Sequence, residues 1–334
     1  MIPRWLGYST FVAGISAAFC LVSVSPAAQS QNQAGGAGQS AQAPDRPGWA
    51  FPAPAPGFQP PKDDGSLRHV PGSAKGLTQT QINDPYNPPD WYPEDHPPLP
   101  EVVAHGKKPD VRACAQCHLA NGLGHPESAN LAGLPAAYIV QQMGEFSSGV
   151  RKGAAIMTTI AKGMTDEEIK AAANYFAGLP RKPWERVVEA RTVPKTFVGA
   201  GNMRFVVKEG GGTEPIGARI IVVPEDEERA ESRDSHSGFV DHVPAGSIKA
   251  GEALVTNGGN KTVRCGICHG PDLKGIGPVP GIAGRSPIYV IRQLHLMKDG
   301  TRAGLWTDLM KGVVAKLTLE DMVNIAAYTA SRTP

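Results

Sequence analysis

The distribution of hydrophobic and polar residues divides the 334-residue chain into five segments. Residues 1–30 contain an apolar run, and residues 31–100, the lead, are rich in proline. Proline removes backbone donors and disfavours helix in the residue before it, so the lead is predicted to be extended or disordered. Residues 101–183 and 247–334 predict helices. Residues 184–246 predict a small ordered insert, because a connection of that length is too long for a plain linker.

The insert has its own hydrophobic pattern. Two runs rich in β-branched residues, 203–208 and 218–223, are separated by three glycines at 210–212 and predict a β-hairpin with a long loop. An acidic stretch follows at 225–241, with seven acidic residues. The predicted fold class is therefore mainly α, with two helical domains, a small β-containing insert between them and a Pro-rich N-terminal extension.

The first 30 residues have the pattern of an export signal. Arg4 supplies a positive charge, residues 11–24 form an apolar run, and small residues follow. A permanent membrane anchor would need roughly 20 apolar residues. A lipoprotein attached through Cys20 would have a small residue where Phe19 stands. We therefore expect cleavage near residues 27–30 and a mature protein outside the cytoplasm without a membrane span.

Composition and charge narrow the class of protein. Glycine (39) and proline (31) are frequent, while hydrophobic residues make up 41% and aromatic residues 6%, which predicts small cores joined by irregular chain. The formal net charge of +2 argues against nucleic-acid binding driven by overall charge. Of the five cysteines, one lies in the apolar run and four form two identical pairs, so none remains for a disulfide framework.

Residues 101–183 and 247–334 are copies of one another, called here the first and second copy. Each contains Cys-x-x-Cys-His, at 114–118 and at 265–269, followed by landmarks at nearly equal spacing. The matched landmarks are Tyr138 and Tyr289, Arg151 and Arg302, Met157 and Met310, the capping-box threonines Thr165 and Thr318, and Tyr175 and Tyr328. The distance along the chain between the motifs at 114–118 and 265–269 is too long for an array of short repeats and indicates a domain duplication.

The repeated motif predicts covalent attachment of haem. Two thiols add across the vinyl groups of one haem, and the adjacent histidine is held beneath the iron as a ligand. A dithiol redox motif would leave the repeated histidine unexplained, and a zinc site would need four ligands at short spacing. Two haem c groups with iron are thus predicted. The residues that bind them are Cys114, Cys117 and His118 in the first copy and Cys265, Cys268 and His269 in the second.

A second iron ligand is predicted in each copy. Met157 and Met310 stand at matching positions before the last predicted helix. A methionine thioether favours reduced iron and raises the potential of the haem, which suits electron transfer. The other methionines within the copies have no methionine counterpart and are interpreted as core residues.

With these landmarks in this order, the two copies resemble class I c-type cytochromes, and together they are similar to the tandem di-haem members of the bacterial periplasm. The resemblance covers just over half of the chain and leaves out the lead and the insert. It implies a small α-helical fold around one low-spin haem in each copy, with His/Met ligation. It also implies that the first and last helices cross beside the haem, with Tyr175 and Tyr328 packed at the crossing.

Several neighbours of the motifs carry further expectations. The carbonyls of Pro126 and Pro278 are expected to accept the hydrogen bond from the haem-binding histidine ring. Leu119 follows the first motif where Gly270 follows the second. One further group either contacts haem propionates or forms ordinary salt bridges and core packing: Arg151, Arg302, Tyr138, Tyr289 and Trp306.

The resemblance implies a periplasmic electron carrier rather than an enzyme. Its partners would be redox proteins, with a quinol-oxidising complex or a dehydrogenase as donor and a terminal oxidase as acceptor. Two alternatives stay open: a cytochrome subunit permanently bound to a periplasmic dehydrogenase, and a haem peroxidase, which would need an open iron site.

Overall fold

The described residues form two helical parts with a β-containing insert between them. The computed structural model describes residues 46–334. The predicted signal at 1–30 and the beginning of the lead lie outside these residues. Within the described residues, no helix is long and apolar enough to cross a membrane.

The described part of the lead, residues 46–100, is mostly irregular chain that packs on the rest of the protein. It contains one helical turn, α1 (Gln79–Ile82), and one 3-10 turn (Pro93–Asp95). Trp91 is buried in a small apolar cluster, and its Nε1 donates to the carbonyl of Ser232 in the insert at 2.8 Å. This part of the lead is therefore ordered, irregular chain, in which buried aromatic side chains anchor a proline-rich backbone.

The first copy contains five helices. Two single turns, α2 (Glu101–Ala104) and α3 (Ala115–His118), precede α4 (Ala136–Ser147), α5 (Ala155–Gly163) and α6 (Asp166–Gly178). Helix α6 begins at the predicted capping box, in which the Thr165 hydroxyl accepts from the Glu168 backbone and the Glu168 carboxylate accepts from the Thr165 backbone. Its apolar face packs against α4, which closes one side of the first copy.

The insert consists of short strands in three small sheets. Its elements are β1 (Glu185–Ala190), β2 (Thr192–Pro194), β3 (Thr196–Val198), β4 (Arg204–Val206), β5 (Thr213–Pro215), β6 (Ile221–Pro224), α7 (Glu227–Glu231) and β7 (Phe239–Pro244). Strand β7 lies between β1, to which it is parallel, and β6, to which it is antiparallel. Strands β2 and β5 form one antiparallel pair, and β3 and β4 form another.

The predicted hairpin between residues 203–208 and 218–223 is wrong. The first run contributes β4, which pairs with β3 across a short turn at Ala200–Asn202. The second run contributes β6, which pairs with β7. A short loop costs less chain entropy to close than a long one, so β3 is the favoured partner of β4.

The second copy repeats the helical order of the first. Its elements are α8 (Ser247–Asn257), α9 (Gly266–His269), the small hairpin of β8 (Gly275–Ile276) and β9 (Val279–Pro280), α10 (Pro287–Lys298), α11 (Thr307–Val314) and α12 (Leu319–Ala330). Helix α8 crosses α12 so closely that a Cβ at Gly251 would lie 1.9 Å from the Asn324 carbonyl oxygen and 2.8 Å from Tyr328 Cβ. Tyr328 therefore lies where the first and last helices of this copy cross, as the resemblance implies.

Two carboxyl groups share a buried position in the insert. Asp241 on β7 is fully buried, and neither its oxygens nor Oε2 of Glu185 on β1 accepts a hydrogen bond from an N–H or hydroxyl group of the described chain. Burial, with repulsion from Glu185, raises the pKa of Asp241 well above its ordinary value. Burial also raises the pKa of Glu185 to about 7. The pair therefore retains a proton at pH values at which exposed carboxyls are ionised.

The substitution Asp241→Asn is expected to stabilise the protein at pH 8. The pKa of Glu185 is raised from 4.5 to about 7 in the folded protein. The stability that this carboxyl contributes is therefore complete below pH 4.5 and is lost as the pH rises through about 7. Asparagine is neutral at every pH, so the folded protein no longer has to keep at 241 a proton that the unfolded chain loses, and the free energy of unfolding at pH 8 should rise by about 1–3 kcal/mol. Urea unfolding between pH 5 and pH 8 measures this, with the exposed Glu209→Gln as control. Equal stability of the unsubstituted protein at both pH values would argue against the raised pKa values.

Candidate functional site

Each Cys-x-x-Cys-His motif forms a single helical turn. Cys114 immediately precedes α3 and His118 ends it, and Cys265 and His269 have the same places at α9. The backbone N–H of each histidine donates to the carbonyl of the first cysteine, at 2.9 and 3.0 Å. Residues at i, i+3 and i+4 share one face of a helical turn, so the two thiols and the imidazole of each motif lie on one side. None of these cysteines is in a disulfide.

The residue after each histidine leaves the turn with a positive φ and an extended ψ. Gly270 has a φ of 86° and Leu119 a φ of 61°. Glycine adopts this region without steric cost, whereas a side chain there costs roughly 1–2 kcal/mol. The two copies thus keep the same backbone path although their residues differ at this position.

A backbone carbonyl fixes the ring of each motif histidine. His118 Nδ1 lies 2.7 Å from the Ala129 carbonyl oxygen, and His269 Nδ1 lies 2.8 Å from that of Pro280. The acceptors are therefore not Pro126 and Pro278, and the prediction of those two prolines is wrong. Any residue can supply a main-chain carbonyl, so residue type does not indicate which residue is the acceptor. Both acceptors stand 11 residues after their histidine, a spacing that the duplication could have revealed.

The protonation states suit metal binding through the opposite ring nitrogen. Burial lowers the pKa of both His118 and His269, which keeps the imidazoles neutral near pH 7. With its proton on Nδ1, donated to a carbonyl, each ring presents the free electron pair of Nε2. Burial raises the pKa of the Cys114 thiol to about 12 and that of Cys265 to about 11. Dithiol redox motifs need lowered thiol pKa values, so the raised pKa values of Cys114 and Cys265 disfavour a dithiol redox motif.

The predicted methionine ligands lie on matching helices. Met157 is in α5 and Met310 is in α11, and both are half-buried against the hydrophobic core. Met322, which is interpreted as a core residue, is almost completely buried. The assignment of Met157 and Met310 as iron ligands stays a prediction.

The matched arginines and tyrosines meet where the two copies adjoin. Arg151 and Arg302 form an antiparallel backbone bridge and are both buried. Each guanidinium crosses to the other copy: Arg302 Nη2 donates to the Tyr138 hydroxyl at 2.9 Å, and Arg151 Nη2 to the Tyr289 hydroxyl at 3.5 Å. These four residues therefore do not form ordinary surface salt bridges. Trp306, grouped with them by sequence, is instead partly exposed.

Two glutamines complete this junction and were missed by the sequence analysis. Gln293 Oε1 accepts from both Arg151 and Arg302 at 3.0 Å. Gln142 Oε1 likewise accepts from both arginines. The glutamines are themselves matched in the duplication, so the alignment of the copies held a signal for them. The junction is thus a nearly symmetric cluster of arginine, tyrosine and glutamine pairs.

The junction carries a surplus of buried positive charge. Glu145 is the carboxylate whose negative charge interacts with the Arg302 guanidinium. Within the described residues, Arg302 Nε and Arg285 Nη2 are buried without a hydrogen-bond partner. Burial raises the pKa of Tyr289, but the guanidiniums of Arg151, Arg302 and Arg285 together bring it below its ordinary value. Buried guanidinium groups with free N–H donors fit carboxylates such as the propionates of haem. The free thiols, the neutral histidines and these arginines therefore suit haem as the bound group.

Comparisons with known proteins find similar sequences. The family model described as Cytochrome c matches residues 103–180. A thiosulfate dehydrogenase electron acceptor of Thiomonas intermedia (strain K12) is 27% identical over 227 residues, which cover 67% of this chain and 80% of that protein. Cytochrome c-554(548) of Halomonas halodenitrificans is 36% identical over 89 residues, which cover 26% of this chain and 99% of that protein. The crystal structure of reduced cytochrome c4 from Pseudomonas stutzeri aligns with 66% of this chain and 93% of its own, at 19% identity and a TM-score of 0.44.

The fold and the site define a class of protein: a helical protein with a Cys-x-x-Cys-His motif in each of two copies, similar in sequence to electron-transfer proteins that bind haem c. The chain belongs to the cytochrome c family. The predicted resemblance to its tandem class I members is confirmed. Haem c, bound covalently through cysteine, is the prosthetic group of this family.

Proposed function

We propose that this protein is a periplasmic electron carrier that binds two haem c groups, one in each copy. The pair of matched motifs carries the proposal, because each places a buried neutral histidine, fixed by a carbonyl, beside two free thiols. Cys114 and Cys117 would hold the first haem through thioether bonds, and Cys265 and Cys268 would hold the second.

In this proposal His118 and Met157 would hold the iron of the first haem, and His269 and Met310 would hold that of the second. A haem bound in this way would supply one-electron chemistry between Fe(III) and Fe(II) to each copy. The protein's own residues keep the histidine in one tautomer and place a methionine thioether on a matched helix. The positions of these methionines in α5 and α11 support the assignment.

The junction between the copies has a role in holding the haems. Arg151 and Arg302 supply the positive charge that haem propionates need when they are taken out of water. Because each arginine also reaches a tyrosine of the other copy, one polar cluster serves both haem sites. An electron can then pass within the chain from one copy to the other.

The electron donor is a periplasmic dehydrogenase, and the acceptor is a further redox protein that leads to a terminal oxidase. The name of one relative, thiosulfate dehydrogenase electron acceptor, supports this order. Gel filtration of the native protein at physiological salt separates a free carrier from a permanent subunit. A carrier elutes alone, whereas stable co-elution with a catalytic subunit would identify a bound subunit.

Potentiometric titration of the purified chain tests the function directly. We expect two reversible one-electron steps and a mass that exceeds the polypeptide by two haem groups. The oxidised protein should also show the weak long-wavelength band of sulfur-to-iron charge transfer. A single haem per chain, or steps that are not reversible, would refute the proposed carrier.

A further inference from the structure

The two Cys-x-x-Cys-His motifs differ in what packs over them. Gln116, between the cysteines of the first copy, is 7% exposed, whereas Ile267 at the same place in the second copy is 57% exposed. Cys117 is half-buried and its counterpart Cys268 is exposed. Because both motifs form the same helical turn, the difference arises from the surrounding chain and not from the motif.

A segment of the insert covers the motif of the first copy. Arg233 Nη1 donates to the Gln116 carbonyl at 2.8 Å, and Asn121 Nδ2 donates to the Ser235 carbonyl at 2.8 Å. Trp184 Nε1 donates to the Gly124 carbonyl at 3.1 Å. The insert thus binds the motif and the loop that follows it.

A segment of the lead completes this covering. The Ala113 backbone N–H donates to the Pro85 carbonyl at 2.9 Å, and Arg233 Nε donates to the Ile82 carbonyl at 3.2 Å. Tyr92 stacks on His236 with ring centroids 3.6 Å apart. The lead and the insert therefore contact each other, and both also contact the first copy. We call residues 82–92 and 232–239 together the cover.

The corresponding surface of the second copy is apolar and exposed. Val263, Ile267 and Ile276 are each about half exposed around Cys268. Arg264 and Lys274 are exposed beside them, as is one carboxylate, Asp272, and Lys274 Nζ also donates to the Pro334 carbonyl oxygen at 3.0 Å. We call Val263, Arg264, Ile267, Lys274 and Ile276 together the open face. The second copy as a whole has 11 basic residues against six acidic ones, and three of the basic residues, Arg285, Arg292 and Arg302, are buried.

We propose that redox partners dock on the open face of the second copy, and that the cover excludes them from the first. This inference rests on the proposed function, since it concerns the surface through which electrons enter and leave. The occupant is a redox protein with an apolar centre and a rim of carboxylates. An exposed apolar centre gains by leaving water, and the basic rim steers an acidic partner towards it.

The test uses an acidic plant-type ferredoxin as the probe and the haem-loaded full chain. Hydrogen exchange of backbone amides is followed with and without the ferredoxin. We expect added protection within 263–276 and none within 113–121. We also expect the protection to weaken as salt is raised. This readout reports binding alone, so it succeeds or fails independently of the redox titration.

Matched variants sharpen the test. Ile267→Glu places a carboxylate on the open face and should weaken ferredoxin binding by about tenfold or more. Leu67→Glu is the control, because Leu67 in the lead has the same 57% exposure and lies outside both the cover and the open face. The double variant Asn121→Ala with Arg233→Ala loosens the cover and should extend protection to 113–121.

Three results would overturn the proposal. The first is protection of both motifs, or of the first alone, in the unsubstituted chain. The second is equal loss of binding in Ile267→Glu and Leu67→Glu, or no binding of the ferredoxin at all. The third is that Ile267→Glu removes none of the protection that ferredoxin adds within 263–276. If the double variant unfolds, the footprint of the unsubstituted chain still decides.

Discussion

Replacing Met310 by alanine is expected to lower the midpoint potential of one haem by on the order of 0.1–0.3 V and to leave the other unchanged. The thioether of methionine favours Fe(II), so its loss favours Fe(III) and also opens an iron position. Potentiometric titration with optical detection measures both haems in one sample. The same substitution at Met157 should shift the other haem, because each methionine belongs to a different copy.

Two neighbouring methionines provide matched controls for this prediction. Met143 and Met297 are also partly buried against the core, on α4 and α10, but neither has a methionine counterpart in the other copy. Alanine at these positions should leave both potentials within a few hundredths of a volt of the parent. If Met310→Ala and Met157→Ala gave the same small change, another side chain would have to be the sixth ligand.

The double substitution Cys265→Ser with Cys268→Ser is expected to remove one haem from the chain and to unfold the second copy. Haem c supplies much of the apolar volume around which the helices of a copy pack. Its loss should cost a large part of the roughly 5–15 kcal/mol that stabilises an ordinary domain. Mass spectrometry counts the haems, and circular dichroism measures the lost helix.

The equivalent change in the first copy, Cys114→Ser with Cys117→Ser, makes an internal comparison. It should also remove one haem, but the cover adds contacts to the first copy that the second lacks. More helix should therefore survive there. Retention of two haems in either variant would show that the motif is not the attachment site.

The chemistry of the site could be predicted from the sequence because it depends on short spacing. Cys114, Cys117 and His118 lie within one helical turn, so their order alone brings them to one side. The duplication shows each landmark twice, at matching positions in the two copies. The matched tyrosines and arginines meet at the junction. The capping box at Thr165 was equally local and was confirmed.

Contacts that join distant parts of the chain could not be predicted in this way. The pairing of β6 with β7 competes with nearer partners, and the outcome depends on loop entropy and packing together. The cover is a stronger case: Arg233 contacts Gln116, which is 117 residues away, through a main-chain carbonyl. Every residue has a main-chain carbonyl, so residue type does not indicate which one accepts a hydrogen bond. For the same reason, Ala129 and Pro280 could not be predicted as the acceptors for His118 and His269.

The nearly symmetric junction of Arg151 and Arg302 resembles the contact within a two-fold homodimer, in which one surface patch meets its own copy. Here the two subunits are linked into one polypeptide. Each half can then change independently on its outer side, as the one-sided cover shows, while a change at the junction needs a matching change in the other half. The linked pair is therefore symmetric at the junction but not on its outer sides, because the cover lies over the motif of the first copy and the open face leaves that of the second exposed.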